Sequence, residues 1–399
     1  MKYSKMEKVI YWIWLSDCFS VGSGKPQQLV EEYDPEYVYN NVDEVCRNAL
    51  YLTENNRNSL KKTSLKKAES IYKSTIEHGV RVVTYNDYEY PENLKHIYSA
   101  PIVLYVKGDI SYLNDSVKIT VVGTRKASDY GRKVTGNLSY VLSLAGAVTV
   151  SGCAAGIDEF AHRGAIKARA KTVGVLGCGH GVNYPTQTEK VRKEILMCGG
   201  ALISELPPGT GVTRGYFPVR NRIMAGIADG VIVTEAPVKS GSLITARLAN
   251  DMNRDVFCIP PRDIFDKNFM GVVPLLRDGA KAVYDATDIL EEYAVRYEGK
   301  LDLERADKFS FVEETSDFLT DNEKLQVRAN KIVSEERKTP EGLSDKQMKI
   351  YSLMDKEPIH VDELTVQSGL ACFEVLSVLT ELELLDAIEA HSGRRYSIK

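Results

Sequence analysis

No apolar run in this sequence approaches the ~20 residues that a membrane-spanning helix needs. The opening MKYSKMEKVIYWIWLSDCF breaks its one short apolar patch at Asp17 and carries no cleavage-like site, so a cytoplasmic protein is expected. A C-x-x-C pair is missing too. The seven cysteines, Cys18, Cys46, Cys153, Cys178, Cys198, Cys258 and Cys372, are scattered and odd in number. Most are expected to be small core residues, and no metal site is expected. The motifs G-x-S-x-G and H-E-x-x-H are absent, and no nucleophile stands out, so no catalytic residue is assigned. VGSGKP (residues 21–26) fails as a phosphate loop, because Phe19 and Pro26 occupy the positions that need Gly and Ser or Thr; it reads as a glycine turn between helices. Strong charge of one sign is lacking as well. With a formal net charge of -4, any nucleic-acid binding has to come from a local basic face.

At 399 residues, 43% hydrophobic and 27% charged, the chain suits two or three globular domains. Residues 1–80 read as helices, with apolar residues at helical spacing in Val9, Ile10, Ile13 and Trp14 and again over residues 60–77. Two β-branched runs, residues 80–85 and 102–108, then lead into a regular alternation. Strands are expected at 119–122, 148–152, 172–177, 201–205, 230–236 and 256–260. Helices are expected at 131–144, 157–168, 187–198, 220–228 and 242–253. Strands without polar alternation, each followed by a crossover helix, predict a parallel sheet buried on both faces, an α/β core that is doubly wound and Rossmann-like. Residues 285–345 hold seventeen acidic and nine basic residues, and an acidic linker is expected over 291–342. From residue 343 to 399, three helices (345–354, 361–368 and 372–382) and a hairpin predict a winged helix. The domains expected are therefore 1–80, 81–290, 291–342 and 343–399.

Ligands of a doubly wound sheet gather at the carboxyl ends of its strands, and several of those corners share a chemistry. Gly123, Thr124, Arg125 and Lys126 follow the first strand, where amides at a helix start favour an anion. No G-x-G-x-x-G is present, since Arg125 stands where the second glycine would be, so a dinucleotide cofactor is not expected. SGCAAGID (151–158) and LGCGHGVNYP (176–185) are glycine-rich, either as tight links or as parts of a site. In residues 205–226, Arg214, Arg220 and Arg222 alternate with Tyr216 and Phe217, next to Asn221. Guanidinium groups suit phosphates and rings suit bases, although solvated surface arginines remain the plain alternative. Lys239, Ser240, Gly241 and Ser242 mark another helix start. Residues 119–180 hold eight basic and three acidic residues, a basic core masked by the acidic C-terminal part. Asp158 and His162, four apart on one helix, could form an acid–base pair or two metal ligands, or be structural.

In order and spacing, VVGTRKASDYGRK, SGCAAGIDEFAHRGAI, VLGCGHGVNYP, ISELPPGTGVTRGYFPVRNRIMAG and EAPVKSGSLITARLA resemble the DprA/Smf family, DNA-processing protein A, over about residues 80–290. The flanking regions resemble that family's small helical (SAM-like) and winged-helix domains. The resemblance implies a protein without enzymatic activity or cofactor. It would bind single-stranded DNA in natural transformation, protect it, load the RecA recombinase onto it and dimerise through its Rossmann-like domain. It further implies that Gly123, Thr124, Arg125 and Lys126 hold a phosphate, that Arg214, Arg220, Asn221 and Arg222 line the same pocket with Phe217 placed to stack, and that Lys239, Ser240, Gly241 and Ser242 add contacts. Three departures stand out. Thr124 replaces a serine, Cys153 and Ala155 replace a leucine and an arginine, and Val273 replaces an asparagine. Residues 345–399 hold ten acidic and six basic residues, and the helix 372–382 lacks Lys and Arg, so this winged helix is expected to contact protein rather than duplex DNA. A second scaffold, that of nucleoside-monophosphate phosphoribohydrolases, is the alternative, but its P-G-G-x-G-T loop is not found.

Overall fold

A computed structural model describes residues 2–263, 265–308, 343–355, 358–385, 387–391 and 393–398. Two compact units divide the chain, Met1–Phe318 and Leu319–Lys399. Most of the expected linker lies outside the described residues.

The first unit opens with six helices: α1 (Lys2–Asp17), α2 (Lys25–Glu32), α3 (Pro35–Asn40), α4 (Val42–Asn48), α5 (Glu54–Lys62) and α6 (Leu65–Glu77). Local chemistry sets their starts. Asp34 accepts from the Glu36 amide, Thr53 and Asn56 form a capping box, and Ser64 accepts from the Lys66 amide. Trp14, Leu15, Leu29 and Leu60 pack with Val80, Ile102, Val103 and Tyr105, joining the helices to the sheet. The glycine turn expected at residues 21–26 is such a turn. Gly22 has φ +82°, and a Cβ there would stand 2.6 Å from Val219 of the core.

Nine strands form one sheet: β1 (Arg81–Thr84), β2 (Val103–Gly108), β3 (Lys118–Val122), β4 (Val148–Ser151), β5 (Thr172–Val175), β6 (Ala201–Ser204), β7 (Gly230–Val233), β8 (Asp255–Cys258) and β9 (Lys281–Ala282). Their order is β1-β2-β6-β5-β4-β3-β7-β8-β9. The seven strands from β6 to β9 pair in parallel as the alternation predicts, whereas β1 and β2 form an antiparallel hairpin laid antiparallel on β6. The sheet is thus mixed. Between its strands run α7 (Glu92–Lys95), α8 (Asp129–Leu144), α9 (Ile157–Lys167), α10 (Glu189–Met197), α11 (Tyr216–Ile227), α12 (Ser242–Asp251) and α13 (Val272–Arg277), and α14 (Thr287–Ala294) follows β9.

Alternate residues of each strand feed opposite faces. Val231 and Val233 join a core with Ile223 and Met224 of α11, while Ile232 joins Leu138, Val141 and Leu142 of α8 on the other side. Buried hydroxyls on the strands are satisfied by carbonyls: Thr120 Oγ1 donates to Met224 O at 2.9 Å, and Ser151 Oγ to Val121 O at 2.7 Å. His162 is a core residue of this kind. Thr172 Oγ1 donates to Thr149 O at 2.7 Å, so it accepts from His162 Nδ1 at 2.9 Å. His162 Nε2 is then the acceptor facing Cys153 Sγ at 3.5 Å. Burial drops the His162 pKa to about 3.

At the amino ends of β3 and β7 lies a buried ion pair, Lys118 Nζ to Asp229 at 3.2 Å. Asp229 also accepts from the Lys118 amide (2.9 Å), Asn93 Nδ2 (3.0 Å) and Tyr297 Oη (2.8 Å). Burial lowers the Lys118 pKa against the pull of Asp229.

The second unit packs the helices Asp345–Ser352, Val361–Ser368 and Cys372–Leu384 around Ile350, Leu364, Val375, Leu379 and Leu382. Its wing is β11 (Ile388–His391) and β12 (Arg395–Ile398), and a third strand, β10 (Ile359–His360), pairs with β12. The expected hairpin is therefore part of a three-stranded sheet, the winged-helix form. Phe373, on the helix nearest to a recognition helix, is exposed, and Glu374 pairs with Lys346 at 2.7 Å.

Removing one partner of a buried pair leaves an uncompensated charge, so Asp229→Ala should lower the unfolding free energy by about 3–5 kcal/mol, read by urea denaturation; a loss below ~1 kcal/mol would show that the pair does not hold this end of the sheet. The His162 pKa is depressed on folding. Between pH 6.5 and about 3 the unfolded chain therefore binds the extra proton, and stability falls as pH falls. His162→Gln should flatten that slope by up to ~1.4 kcal/mol per pH unit; denaturation series from pH 7 to 4 that run parallel for both proteins would exclude this.

Candidate nucleic-acid interface

The strand order places β3 beside β7, while the chain leaves them in opposite directions, β3 leading to β4 on one side and β7 to β8 on the other. A crevice opens at such a switch point, outside the carboxyl ends of the strands. The two loops that bound it are held together by Glu235. Its backbone oxygen accepts from the Thr124 amide at 2.7 Å. Its buried carboxylate accepts from the Ser128 amide at 3.0 Å and from Ser128 Oγ at 2.9 Å. Ser128 in turn caps α8 through the Gly131 amide. A Cβ at Gly131 would stand 1.7 Å from the Glu235 carboxylate, and one at Gly123 would stand 2.5 Å from Ile157, which is why both positions are glycine.

This arrangement bears on the helix start that follows the Gly123–Lys126 corner. At the start of α8 the Ser128 amide is taken by the Glu235 carboxylate and the Gly131 amide by Ser128 Oγ, so these two donors are already answered within the protein. Burial raises the Glu235 pKa and the Ser128 hydrogen bonds oppose the rise. Thr124 Oγ1 accepts from the Lys126 amide at 3.2 Å, closing a local turn.

The crevice is a cleft of about 870 Å³. Eleven of the thirteen residues singled out from the sequence line it, among them Gly123, Thr124, Arg125, Arg214, Phe217, Lys239, Ser240, Gly241 and Ser242. Arg125, Arg214 and Lys239 are exposed, and none of them forms an ion pair among the described residues. Arg125 leans over the Phe217 ring, 5.3 Å from its centroid. Phe217 packs on Gly177 and meets Tyr184 with ring centroids 5.7 Å apart. Ser240 and Ser242 join hydroxyls at 2.7 Å at the start of α12.

The arginine-rich helix divides. Helix α11 begins at Tyr216, earlier than the expected residue 220; it carries Arg220 and Arg222, whereas Arg214 lies in the turn before it. Arg220 and Asn221 line the cleft wall but are buried. Arg220 Nη1 donates to Gly152 O at 2.8 Å and to Val175 O. Burial lowers its pKa, with Asp158 the main opposing charge. Arg222 is absent from the cleft, because its buried guanidinium is paired with Glu205. Lys126, though exposed, is not part of the lining either. Asp158 is buried and accepts from the Ala154 amide at 3.3 Å, with burial the leading cause of its raised pKa. It makes no pair with His162, and no group of three or more His, Cys, Asp or Glu among the described residues could hold a metal ion. Tyr184 and Glu235 were not anticipated. A tyrosine beside Pro185 in the third glycine-rich corner was the available signal for the first, whereas nothing local marks Glu235, whose partner Ser128 is 107 positions away.

Among the described residues no helix is long and apolar enough to cross a membrane. A family model described as DNA recombination-mediator protein A matches residues 81–294, and one described as the DprA winged helix domain matches residues 334–394. The DNA processing protein DprA of Bacillus subtilis is 40% identical over 220 residues, 55% of this chain and 73% of that one. Protein Smf of Synechocystis is 34% identical over 325 residues, 79% of each. The X-ray structure of DNA processing protein A from Streptococcus pneumoniae overlays with a TM-score of 0.54 at 35% identity, covering 60% of this chain and 81% of that one. With its doubly wound core matched from β1 to α14 and its winged helix matched as well, the chain belongs to the DNA recombination-mediator protein A family, the DprA/Smf proteins.

Proposed function

We propose that the cleft at the switch point binds the backbone of single-stranded DNA and that the protein acts as a recombination mediator without catalysing a reaction. One observation carries the reading: three exposed cations without ion-pair partners, Arg125, Arg214 and Lys239, converge on one cleft with the aromatic pair Tyr184 and Phe217. Guanidinium and ammonium groups neutralise phosphates, and rings accept any base face, a combination suited to single strands without sequence readout. The two carboxylates nearest the cleft, Asp158 and Glu235, are held in internal hydrogen bonds, which supports binding over acid–base chemistry. Membership of a family of DNA-processing and recombination-mediator proteins supports the same reading.

In this reading Arg125, Arg214 and Lys239 contact phosphates directly, with Thr124, Ser240 and Ser242 beside them. Arg220 and Asn221 shape the wall rather than reach the strand, Arg222 stands outside the cleft on Glu205, and Lys126 adds charge from outside the lining. The protein protects incoming single strands in natural transformation and loads RecA onto them, as a cytoplasmic homodimer joined through the core 81–290. The helical region 1–80 and the linker 291–342 flank that core. The winged helix, acidic and with Phe373 exposed, contacts a protein.

Fluorescence anisotropy with labelled single- and double-stranded oligonucleotides over a salt series tests the reading. Tighter binding of single strands is expected, with log affinity falling by about 0.7 per log unit of salt for each phosphate contacted. No binding at low salt, together with hydrolysis of a nucleoside monophosphate, would support the nucleotide-enzyme alternative instead. Arg125→Ala should weaken binding on the order of tenfold to a hundredfold and make the salt slope shallower by about 0.7. Phe217→Ala should weaken it by about 1–3 kcal/mol with the slope unchanged; wild-type affinity in both variants would remove the cleft from the binding site.

A further inference from the structure

Residues 119–180 hold eight basic residues, yet Arg125 alone among them lines the cleft. Most of the remaining charge lies on helices α8 and α9. These helices follow β3 and β4, neighbouring parallel strands, so they run side by side in one direction, away from the carboxyl ends of the sheet. They approach closely: a Cβ at Gly164 of α9 would stand 2.4 Å from Gly136 O of α8. Arg132 and Lys133 stand near the start of α8, Arg163 and Lys167 belong to α9, and Arg169 and Lys171 lie in the link from α9 to β5. The row begins at the cleft, because the Ile157 amide that opens α9 donates to Thr124 O at 3.1 Å and Asp158 beside it is part of the cleft wall.

Ring contacts fix where these cations sit. The Arg132 and Arg163 guanidinium groups come from different helices and both lie against the Phe160 ring, 5.6 and 5.0 Å from its centroid. Further along, Lys167 Nζ is 5.3 Å from the Tyr140 ring of α8, and Lys171 Nζ is 4.2 Å from the Tyr112 ring. The cations thus follow the seam between the two helices, which over the eleven residues of α9 is about 16 Å long at 1.5 Å per residue. Acids are fewer. Glu159 pairs with Arg163 at 2.5 Å, Asp109 with Lys171 at 3.2 Å, and Asp129 lies one turn before Lys133. Cations of like sign gathered on one ring repel each other, and an anion laid along the seam relieves that repulsion.

We infer that the α8–α9 seam is a second segment of the path of a single strand: a strand that passes Arg125 at the edge of the cleft continues over the seam, with its phosphates on Arg132, Lys133, Arg163 and Lys167. The inference rests on the single-strand reading of the cleft. Charge complementarity and continuity with the cleft choose the occupant, and a single narrow row suits one backbone. Phe160 is buried beneath the two guanidinium groups and offers no face to a base, so this segment holds phosphates without stacking bases. Its effect depends on the length of the strand, because a short strand ends before it reaches the seam.

The test compares wild type with a variant that combines Lys133→Gln, Arg163→Gln and Lys167→Gln and leaves every cleft cation in place. Arg132 is kept, because its Nε donates to Ala127 O at 3.1 Å. The probes are an oligo-thymidine of about 5 nucleotides, enough for the cleft alone, one of about 20 nucleotides, and a duplex of the longer length. Both proteins are expected to bind the short strand alike. On the long strand the variant should lose roughly tenfold at low salt, and its log–log salt slope should be shallower by about 2, which is 0.7 for each of three phosphates released. Equal affinity and slope for the long strand would remove the seam from the path and leave the cleft reading standing. An equal loss on both lengths, or a loss confined to the duplex, would also overturn the inference. If wild type binds neither strand at low salt, both readings fall. Should the triple variant fail to fold, as judged by thermal denaturation, Lys133→Glu at an exposed position of α8 carries the same comparison, with a slope change of about 0.7.

Discussion

A single buried carboxylate organises the part of this protein that faces a ligand. Glu235 follows β7, yet its hydrogen bonds are made to the loop that follows β3, at Thr124 and Ser128. The two strands are neighbours in the sheet and far apart in the chain, so their loops have no covalent reason to stay in register. The carboxylate provides one. It also decides what the loop can do: with an internal anion at the start of α8, the helix dipole is already answered, and an outside phosphate has to be met by long side chains. Arg125, placed just beyond the Thr124 turn, is such a side chain, exposed at the cleft.

Charge is distributed along the strands with a clear polarity. At the amino ends, Lys118 and Asp229 neutralise each other inside a cage of Asn93 and Tyr297. At the carboxyl ends, Arg220 and Arg222 are absorbed by carbonyls and by Glu205, and among the described residues that line the cleft Arg125, Arg214 and Lys239 are the exposed cations. The same residue type thus does two jobs within a dozen positions. Buried arginines hold the wall in shape, and exposed ones give it its sign.

Much of this was legible in the sequence. Uninterrupted β-branched runs such as residues 119–122 and 230–233 announce strands buried on both faces, and the glycine-rich and arginine-rich corners after them identify the end of the sheet that matters. The hidden part is what depends on distant pairing. The antiparallel placement of the β1–β2 hairpin follows from the pairing of β2 with β6, about a hundred residues later. Arg220 and Arg222 look like surface cations beside Tyr216 and Phe217, because arginine serves both in interiors and on surfaces when a carbonyl or carboxylate is near, and those partners lie elsewhere in the chain. Glu235 reads as one acidic residue among many until Ser128 is brought to it.

The edges of the sheet are treated unequally. At one side β1 is backed by the N-terminal helical layer through Val80, Ile102 and Val103. At the other, β9 is only Lys281–Ala282, and the Lys281 ammonium is tied to Glu292. A two-residue edge with a charged side chain offers almost no open ladder of amides and carbonyls to an incoming strand. Extending the sheet at β9 therefore offers little to an added strand, and that side of the core ends in side chains rather than in unpaired backbone.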